Sequence, residues 1–356
     1  MQAEQTQHFC WMGRSTVVAL STVSCAGALV LALRSLINGG VFTQHCKPAQ
    51  DRLSGAAALI TGCTVGGLGV EAAVDMLKAG CSLCIITCRS EAKAAEAVEH
   101  ILIRAPLAPN VRLVPLVLDL SSMASVRAAA ERVLAITPHL HILVLNAGLA
   151  VPLGGPSVST EEMWAANHVA QWLLTEELRP ALCEAARRRT EAPVGCRIVA
   201  VSSEEHAQSV IAYDDPWASD NPYGQSKLAQ IMHMRELQRR MRQEPGLAGE
   251  GADAVVRCLA VTPGLALTNI FRKNLVGWYA LWWPLAWLVG RSASDGAQVI
   301  KHAWADDAVA GGDYLLNCRP RVATGKDGCA GDPSAWLKLW ELSAKCAAEA
   351  VDGRFP

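Results

Sequence analysis

Short apolar runs alternate with longer stretches of mixed polarity along most of the chain. The runs are Ala57–Ile60, Ser82–Thr87, Leu113–Leu118, Ile142–Leu145, Arg197–Val201 and Ala254–Val261. Their near-continuous apolar character marks strands buried on both faces, as in a parallel sheet. Between them lie stretches long enough for helices, among them Val70–Lys78, closed by Gly80. The alternation predicts an α/β fold with a doubly wound parallel sheet, in a single domain spanning residues 54–350.

Two apolar stretches fall outside this rhythm. Ser15–Leu33 carries no charge over 19 residues and is bounded by Arg14 and Arg34. That length is close to the ~20 residues that cross a bilayer. It predicts an N-terminal transmembrane helix, with 1–14 as a tail and 34–53 as a linker. A secretory signal peptide is the rival, although its apolar stretch is shorter, roughly 7–15 residues. Arg34, Lys47 and Arg52 outweigh Arg14, so the body of the protein is expected to face the cytosol. The second stretch, Leu275–Val289, is rich in tryptophan (Trp278, Trp282, Trp283, Trp287), short for a span and broken by Pro284.

The chemistry begins after the first run. Thr61-Gly62-Cys63-Thr64-Val65-Gly66-Gly67-Leu68-Gly69 joins a strand to a helix. Glycines let a backbone approach a pyrophosphate, and the free N–H groups of a helix start hold the anion. In an NAD site an acidic residue about 20 positions on holds the ribose 2′-hydroxyl. Residues 81–90 contain no carboxylate, and Arg89 stands in its place. A guanidinium there favours the 2′-phosphate of NADP. Farther on, Asn221 and Pro222 suit the start of a helix that carries Tyr223 and Lys227. Residues four apart share a helix face. A cation beside a phenol, together with the positive end of a helix, is expected to lower the phenol's pKa from about 10 and so make a general acid or base.

With these pieces in order, the chain resembles the short-chain dehydrogenase/reductase family from about residue 54 to the C-terminus, and most closely its retinol dehydrogenase-like branch. The carrying residues are the glycine turn, Thr87-Cys88-Arg89, Asp119-Leu120, Asn146-Ala147-Gly148, Asn167-His168, Val201-Ser202-Ser203 with His206, Tyr223-Gly224-Gln225-Ser226-Lys227, and Pro263-Gly264 with Thr268 beyond. The resemblance implies a catalytic tetrad of Asn167, Ser203, Tyr223 and Lys227. It implies a dinucleotide site lined by Gly62, Thr64, Gly66, Gly67, Leu68, Gly69, Arg89, Asp119, Leu120, Asn146, Ala147, Gly148, Tyr223, Lys227, Pro263, Gly264 and Thr268. Asn167 would hold a water on the proton path beyond Lys227. Residues 270–292 fall where the family places its variable substrate lid. Two departures stand out. Gly66 and Gly67 are in tandem, which widens the turn by one residue, and Leu145-Asn146 replaces the usual asparagine pair.

The implied activity is NADP(H)-dependent hydride transfer to or from a lipophilic carbonyl or alcohol of the retinal/retinol kind. A steroid or other lipid ketone reductase is the alternative within the family. A non-catalytic nucleotide-binding scaffold is the alternative of another class. The resemblance also implies anchoring at the endoplasmic reticulum and leaves room for a homodimer. Net charge is −1 and there is no basic stripe, so nucleic acid is not an expected partner. The 13 cysteines are scattered without metal-ligand spacing, and many lie in apolar runs as small hydrophobes. They read as reduced thiols of a cytosol-facing chain, and no metal is expected. His168 and His206 read as packing or supporting residues near the site.

Overall fold

The computed structural model describes residues 27–40, 42–48, 50–150, 158–188, 194–247, 255–268 and 283–351. The strands β1 (Ala57–Ile60), β2 (Leu83–Cys88), β3 (Arg112–Val117), β4 (Ile142–Leu145), β5 (Cys196–Val201), β6 (Val256–Thr262), β7 (Tyr314–Leu316) and β8 (Arg319–Arg321) form one sheet. Its order is β3-β2-β1-β4-β5-β6-β7-β8. Neighbouring strands run parallel except β8, which folds back against β7. The winding reverses between β1 and β4. The crevice outside the carboxyl ends of strands at such a reversal is the usual ligand site of an open α/β sheet.

Side chains on the strands alternate between two cores. Leu59, Ile85, Leu143 and Ile198 face one, while Ala58, Ile60, Ile86, Val144 and Val199 face the other. Helices α1 (Leu68–Lys78), α2 (Glu91–Arg104) and, near the C-terminus, Ala293–Ala305 cover the second face. Helices α3 (Met123–Ile136), α5 (Ala170–Arg187), α6 (Pro222–Met241) and α9 (Pro333–Val351) cover the first. The short α4 (Thr160–Trp164) and α7 (Trp283–Val289) complete the set, and Ala293–Ala305 is α8. The two edge strands, β3 and β8, are the exceptions to full burial, and they contain Pro115 and Pro320, which an edge tolerates. This is the expected Rossmann-type architecture.

The expected transmembrane helix is not shown, and the expected linker needs correction. No helix among the described residues is long and apolar enough to cross a membrane. Residues 15–26 of the charge-free run lie outside the described residues. Its remainder opens a helix over 27–38 that runs past Arg34. The stretch 34–53 is therefore not a free linker. Asn38 and Leu53 are fully buried, because polar and apolar groups of the domain close around them. Of the tryptophan-rich stretch, 275–282 lies outside the described residues and α7 forms the rest. The 11 cysteines among the described residues are free thiols, and all but Cys46 are buried.

Candidate active site

The crevice between β1 and β4 is braced by threonine and asparagine. Thr61 Oγ1 accepts the N–H groups of Asn146 and Ala147, each at 3.0 Å. Asn146 Nδ2 donates back to the carbonyls of Thr61 (2.8 Å) and Gly62 (3.2 Å). The Asn146 amide thus holds two loops together. Gly62 has φ +71°, and a Cβ there would lie 2.7 Å from the Ala147 Cα, so only glycine lets the loops approach this closely.

The tandem glycines solve the extra residue in the turn. Gly66 takes a left-handed φ of +77°. Gly67 returns to extended geometry as the N-cap of α1, its N–H donating to the Thr64 carbonyl at 2.9 Å. No side chain caps this helix. Its first-turn N–H groups are left for an anion, which is the local chemistry that a pyrophosphate needs. Leu68 and Gly69 open the helix, and a Cβ at Gly69 would meet Asn146 Nδ2 at 2.7 Å.

At the carboxyl end of β2, Arg89 is exposed, and its charge reaches Asp119 across the crevice mouth. Asp119 Oδ1 accepts from the backbone N–H and hydroxyl of Ser121 at 3.0 and 2.7 Å. Desolvation opposes ionisation here, but the Ser121 bonds and Arg89 outweigh it and hold the carboxyl below its ordinary value. Leu120 is buried beneath.

The catalytic end is built by β5 and α6. Asn221 Oδ1 caps α6 through the Gly224 N–H at 3.0 Å, and Pro222 occupies the first turn, as its missing N–H permits. A Cβ on Gly224 would fall 2.0 Å from Ser209 Oγ and 2.8 Å from the Glu205 carbonyl. That glycine lets the helix start press against the 3-10 turn Glu204–Gln208, which follows Ser203. The phenol of Tyr223 is thereby brought beside Ser203, whose hydroxyl favours the ionised phenol. Lys227, one turn on, is buried. Its Nζ donates to the Val201 carbonyl at 2.9 Å and to Gln230 Oε1 at 3.2 Å, and lies 5.5 Å from the Tyr223 ring centre. Ser202 Oγ donates to the Lys227 carbonyl at 2.7 Å, locking β5 to α6.

The charge states differ from the sequence expectation. Burial pushes the Lys227 ammonium down to about 7. The Tyr223 phenol is raised rather than lowered: desolvation dominates, the Ser203 hydroxyl opposes it, and Glu205 adds to it. Lys227 spends its donors on Val201 and Gln230 instead of on the phenol.

Asn167 is held from several sides. It sits in a π-helical turn, Ala165–Val169, between α4 and α5, a distortion often found at functional sites. Its Oδ1 accepts the Leu149 N–H at 2.6 Å, and its Nδ2 donates to the Leu149 carbonyl at 2.9 Å and to Ser226 Oγ at 3.0 Å. Its backbone carbonyl accepts Gln230 Nε2 at 2.8 Å. Gln230 therefore bridges Asn167 and Lys227 directly. Gln171 extends the chain: its Oε1 accepts from Gln230 at 3.4 Å, and its Nε2 donates to the Ala147 carbonyl at 2.5 Å. Gly148 leaves the space, since a Cβ there would stand 3.3 Å from Asn167 Oδ1 and 3.4 Å from Lys227 Nζ.

After β6, Pro263 and Gly264 turn into a loop that ends at the buried Thr268. Ala266 bridges in parallel to Arg291, which follows α7. His206 Nδ1 lies 2.7 Å from the Ser203 carbonyl and holds the loop, while His168 Nε2 meets Ser343 Oγ at 2.7 Å deep in the core. Gln230 and Gln171 were missed in the sequence, while Ser202 and Ser226 stood in its motifs with no role of their own. Gln230 had a signal, since three residues beyond Lys227 is the same helix face. Gln171 had none, because α5 meets α6 only in the fold.

Comparison with known proteins agrees with this geometry. The short chain dehydrogenase family model matches residues 56–276. Dehydrogenase/reductase SDR family member 13 of Bos taurus is 32% identical over 331 residues, covering 90% of this chain and 79% of that protein. Retinol dehydrogenase 12 of Mus musculus is 31% identical, covering 88% of this chain and 92% of that one. Among solved structures, the Pseudomonas aeruginosa RhlG/NADP active-site complex shares the fold with a TM-score of 0.59 at 22% identity, covering 76% of this chain and 97% of that one. With the braced crevice, the uncapped helix start and these relatives together, the chain belongs to the short-chain dehydrogenase/reductase family of oxidoreductases, in its retinol dehydrogenase-like branch.

Proposed function

We propose that the protein is an NADP(H)-dependent oxidoreductase of lipophilic carbonyls and alcohols, retinal and retinol in class. The observation that carries this reading is the Ser203–Tyr223 pair, backed by buried Lys227, at the carboxyl end of β5 and on the same sheet edge as the uncapped start of α1. A bound dinucleotide supplies or accepts hydride at its nicotinamide C4. The residues manage the proton. In reduction Tyr223 donates to the substrate oxygen as negative charge develops there, and Ser203 holds the same oxygen by a hydrogen bond. Burial keeps the phenol protonated until that charge appears. Lys227, poised near neutrality, can return a proton to the phenolate or stabilise it as a cation. Asn167 and Gln230 keep Lys227 in place.

Preference for NADP(H) is supported by Arg89 and the lack of a carboxylate in residues 81–90. The lipophilic substrate is supported by the retinol dehydrogenase relative and by exposed apolar side chains near the cleft. Leu29, Leu31 and Leu36 on helix 27–38, and Trp287 and Leu288 on α7, are all exposed. Asn38 Nδ2 donates to the Val289 carbonyl at 2.8 Å, so the two helices adjoin. Together with the charge-free run before them, they support attachment to a membrane with the domain in the cytosol. The test is NADPH oxidation by the full-length protein in detergent, with retinal, steroid ketones and medium-chain aldehydes offered in turn. Retinal turnover that disappears in Tyr223→Phe is the expected result. Dinucleotide binding without turnover of any carbonyl overturns the enzyme reading in favour of a scaffold.

A further inference from the structure

We propose that Asn38, in the segment ahead of the first strand, is a positioning residue for the loop that walls the nicotinamide end of the cleft. The proposal rests on the dinucleotide reading above and extends it to a part of the chain outside the motif set. Asn38 is fully buried, although an asparagine at the end of a largely exposed helix is expected at the surface. Every polar group of its side chain is used. Oδ1 accepts the Leu265 N–H at 2.9 Å, and Nδ2 donates to the carbonyls of Val289 (2.8 Å) and Arg34 (3.1 Å). One amide thus joins three segments: helix 27–38, the Pro263–Thr268 loop and the end of α7.

The surroundings are built to keep it there. The Asn38 carbonyl accepts Arg291 Nη2 at 3.0 Å, and the same nitrogen donates to Asn317 Oδ1 at 2.9 Å. Asn317 grips the chain beyond Asn38, accepting from the Gln44 N–H at 3.1 Å and donating to the Phe42 carbonyl at 3.2 Å. Arg291 also holds the loop by its backbone, its N–H donating to the Leu265 carbonyl and its carbonyl accepting the Leu267 N–H, both at 2.8 Å. Gly264 has φ +70°, and a Cβ there would stand 2.5 Å from Asn38 Oδ1. The glycine of this loop is therefore required twice, by its backbone and by the asparagine against it. On the loop's other side, a Cβ on Gly296 would meet Ala266 Cβ and Leu68 Cδ2, each at 2.9 Å. The loop is wedged between Asn38 and α8, which also packs on Leu68 at the start of α1, and a shift at Asn38 moves the wall of the cleft.

The experiment compares two ligands on the full-length protein. NADPH uses the whole cleft, whereas 2′-phospho-ADP-ribose lacks the nicotinamide and reports only the adenine and phosphate end. Asn38→Ala strands the Leu265 N–H and the Val289 carbonyl. It is expected to weaken NADPH by about tenfold or more while leaving the fragment within about twofold. Asn317→Ala, which loosens the same segment without touching Leu265, is expected to give a smaller differential in the same direction. It stands in if Asn38→Ala does not fold. Equal weakening of both ligands, or no change in either, overturns the positioning role. Failure of the wild-type protein to bind either ligand overturns the dinucleotide reading and this proposal with it.

Discussion

Gln230 holds Lys227. The lysine Nζ donates to Gln230 Oε1 at 3.2 Å, while Gln230 Nε2 donates to the Asn167 carbonyl at 2.8 Å. The buried cation is thus tied to the π-helical turn by an amide rather than left to solvent. An amide orients a lysine without neutralising it, which is consistent with the low pKa that burial imposes.

Replacing Gln230 by glutamate tests that relation. A carboxylate at this distance favours the ammonium form and should raise the Lys227 pKa by about 1–3 units. The limb of the pH–rate profile governed by Lys227 should move up accordingly. Gln230→Leu, which removes the acceptor without adding charge, should lower kcat without such an upward move. Superimposable profiles for Gln230→Glu and wild type would separate Gln230 from the lysine's function.

Lys227 also makes stability depend on pH. Its folded value, about 7, lies below the ordinary 10.5, so between those limits the unfolded chain binds a proton that the folded one does not. Stability then rises with pH through this window, by at most about 1.4 kcal/mol per pH unit for one proton. In denaturant titrations at a series of pH values, Lys227→Met should lose this slope. A variant that keeps the full slope would mean that another group titrates.

Cofactor choice should turn on Arg89. A charge-assisted bond to a 2′-phosphate contributes about 1.5–3 kcal/mol, so Arg89→Ala should weaken NADPH by about 10- to 100-fold and NADH little. Fluorescence titration of both cofactors measures this directly. Equal losses for the two would assign Arg89 to holding Asp119 instead.

The exposed apolar helices predict where the substrate enters. Trp287 and Leu288 are exposed on α7, next to the Asn38 clamp. Their replacement by serine should raise KM for retinal supplied in lipid vesicles and spare a short water-soluble aldehyde. A parallel rise for both substrates, with a lowered Tm, would show that the side chains serve packing.

Much of this protein was legible from local pattern. Continuous apolar runs announced the parallel strands, since burial on both faces leaves no room for polar alternation. Asn221-Pro222 announced the start of α6, and helical spacing placed Tyr223 and Lys227 on one face. These are properties of neighbouring residues and need no knowledge of the rest of the chain. The tertiary structure decided what crosses between elements. Gln171 reaches Ala147 from another helix. Asn38 and Leu265 meet across 227 positions of chain. The direction of the Tyr223 shift belongs to the same class. The sequence places a cation near the phenol, but burial sets the sign, and the desolvation of a group is a property of everything packed around it.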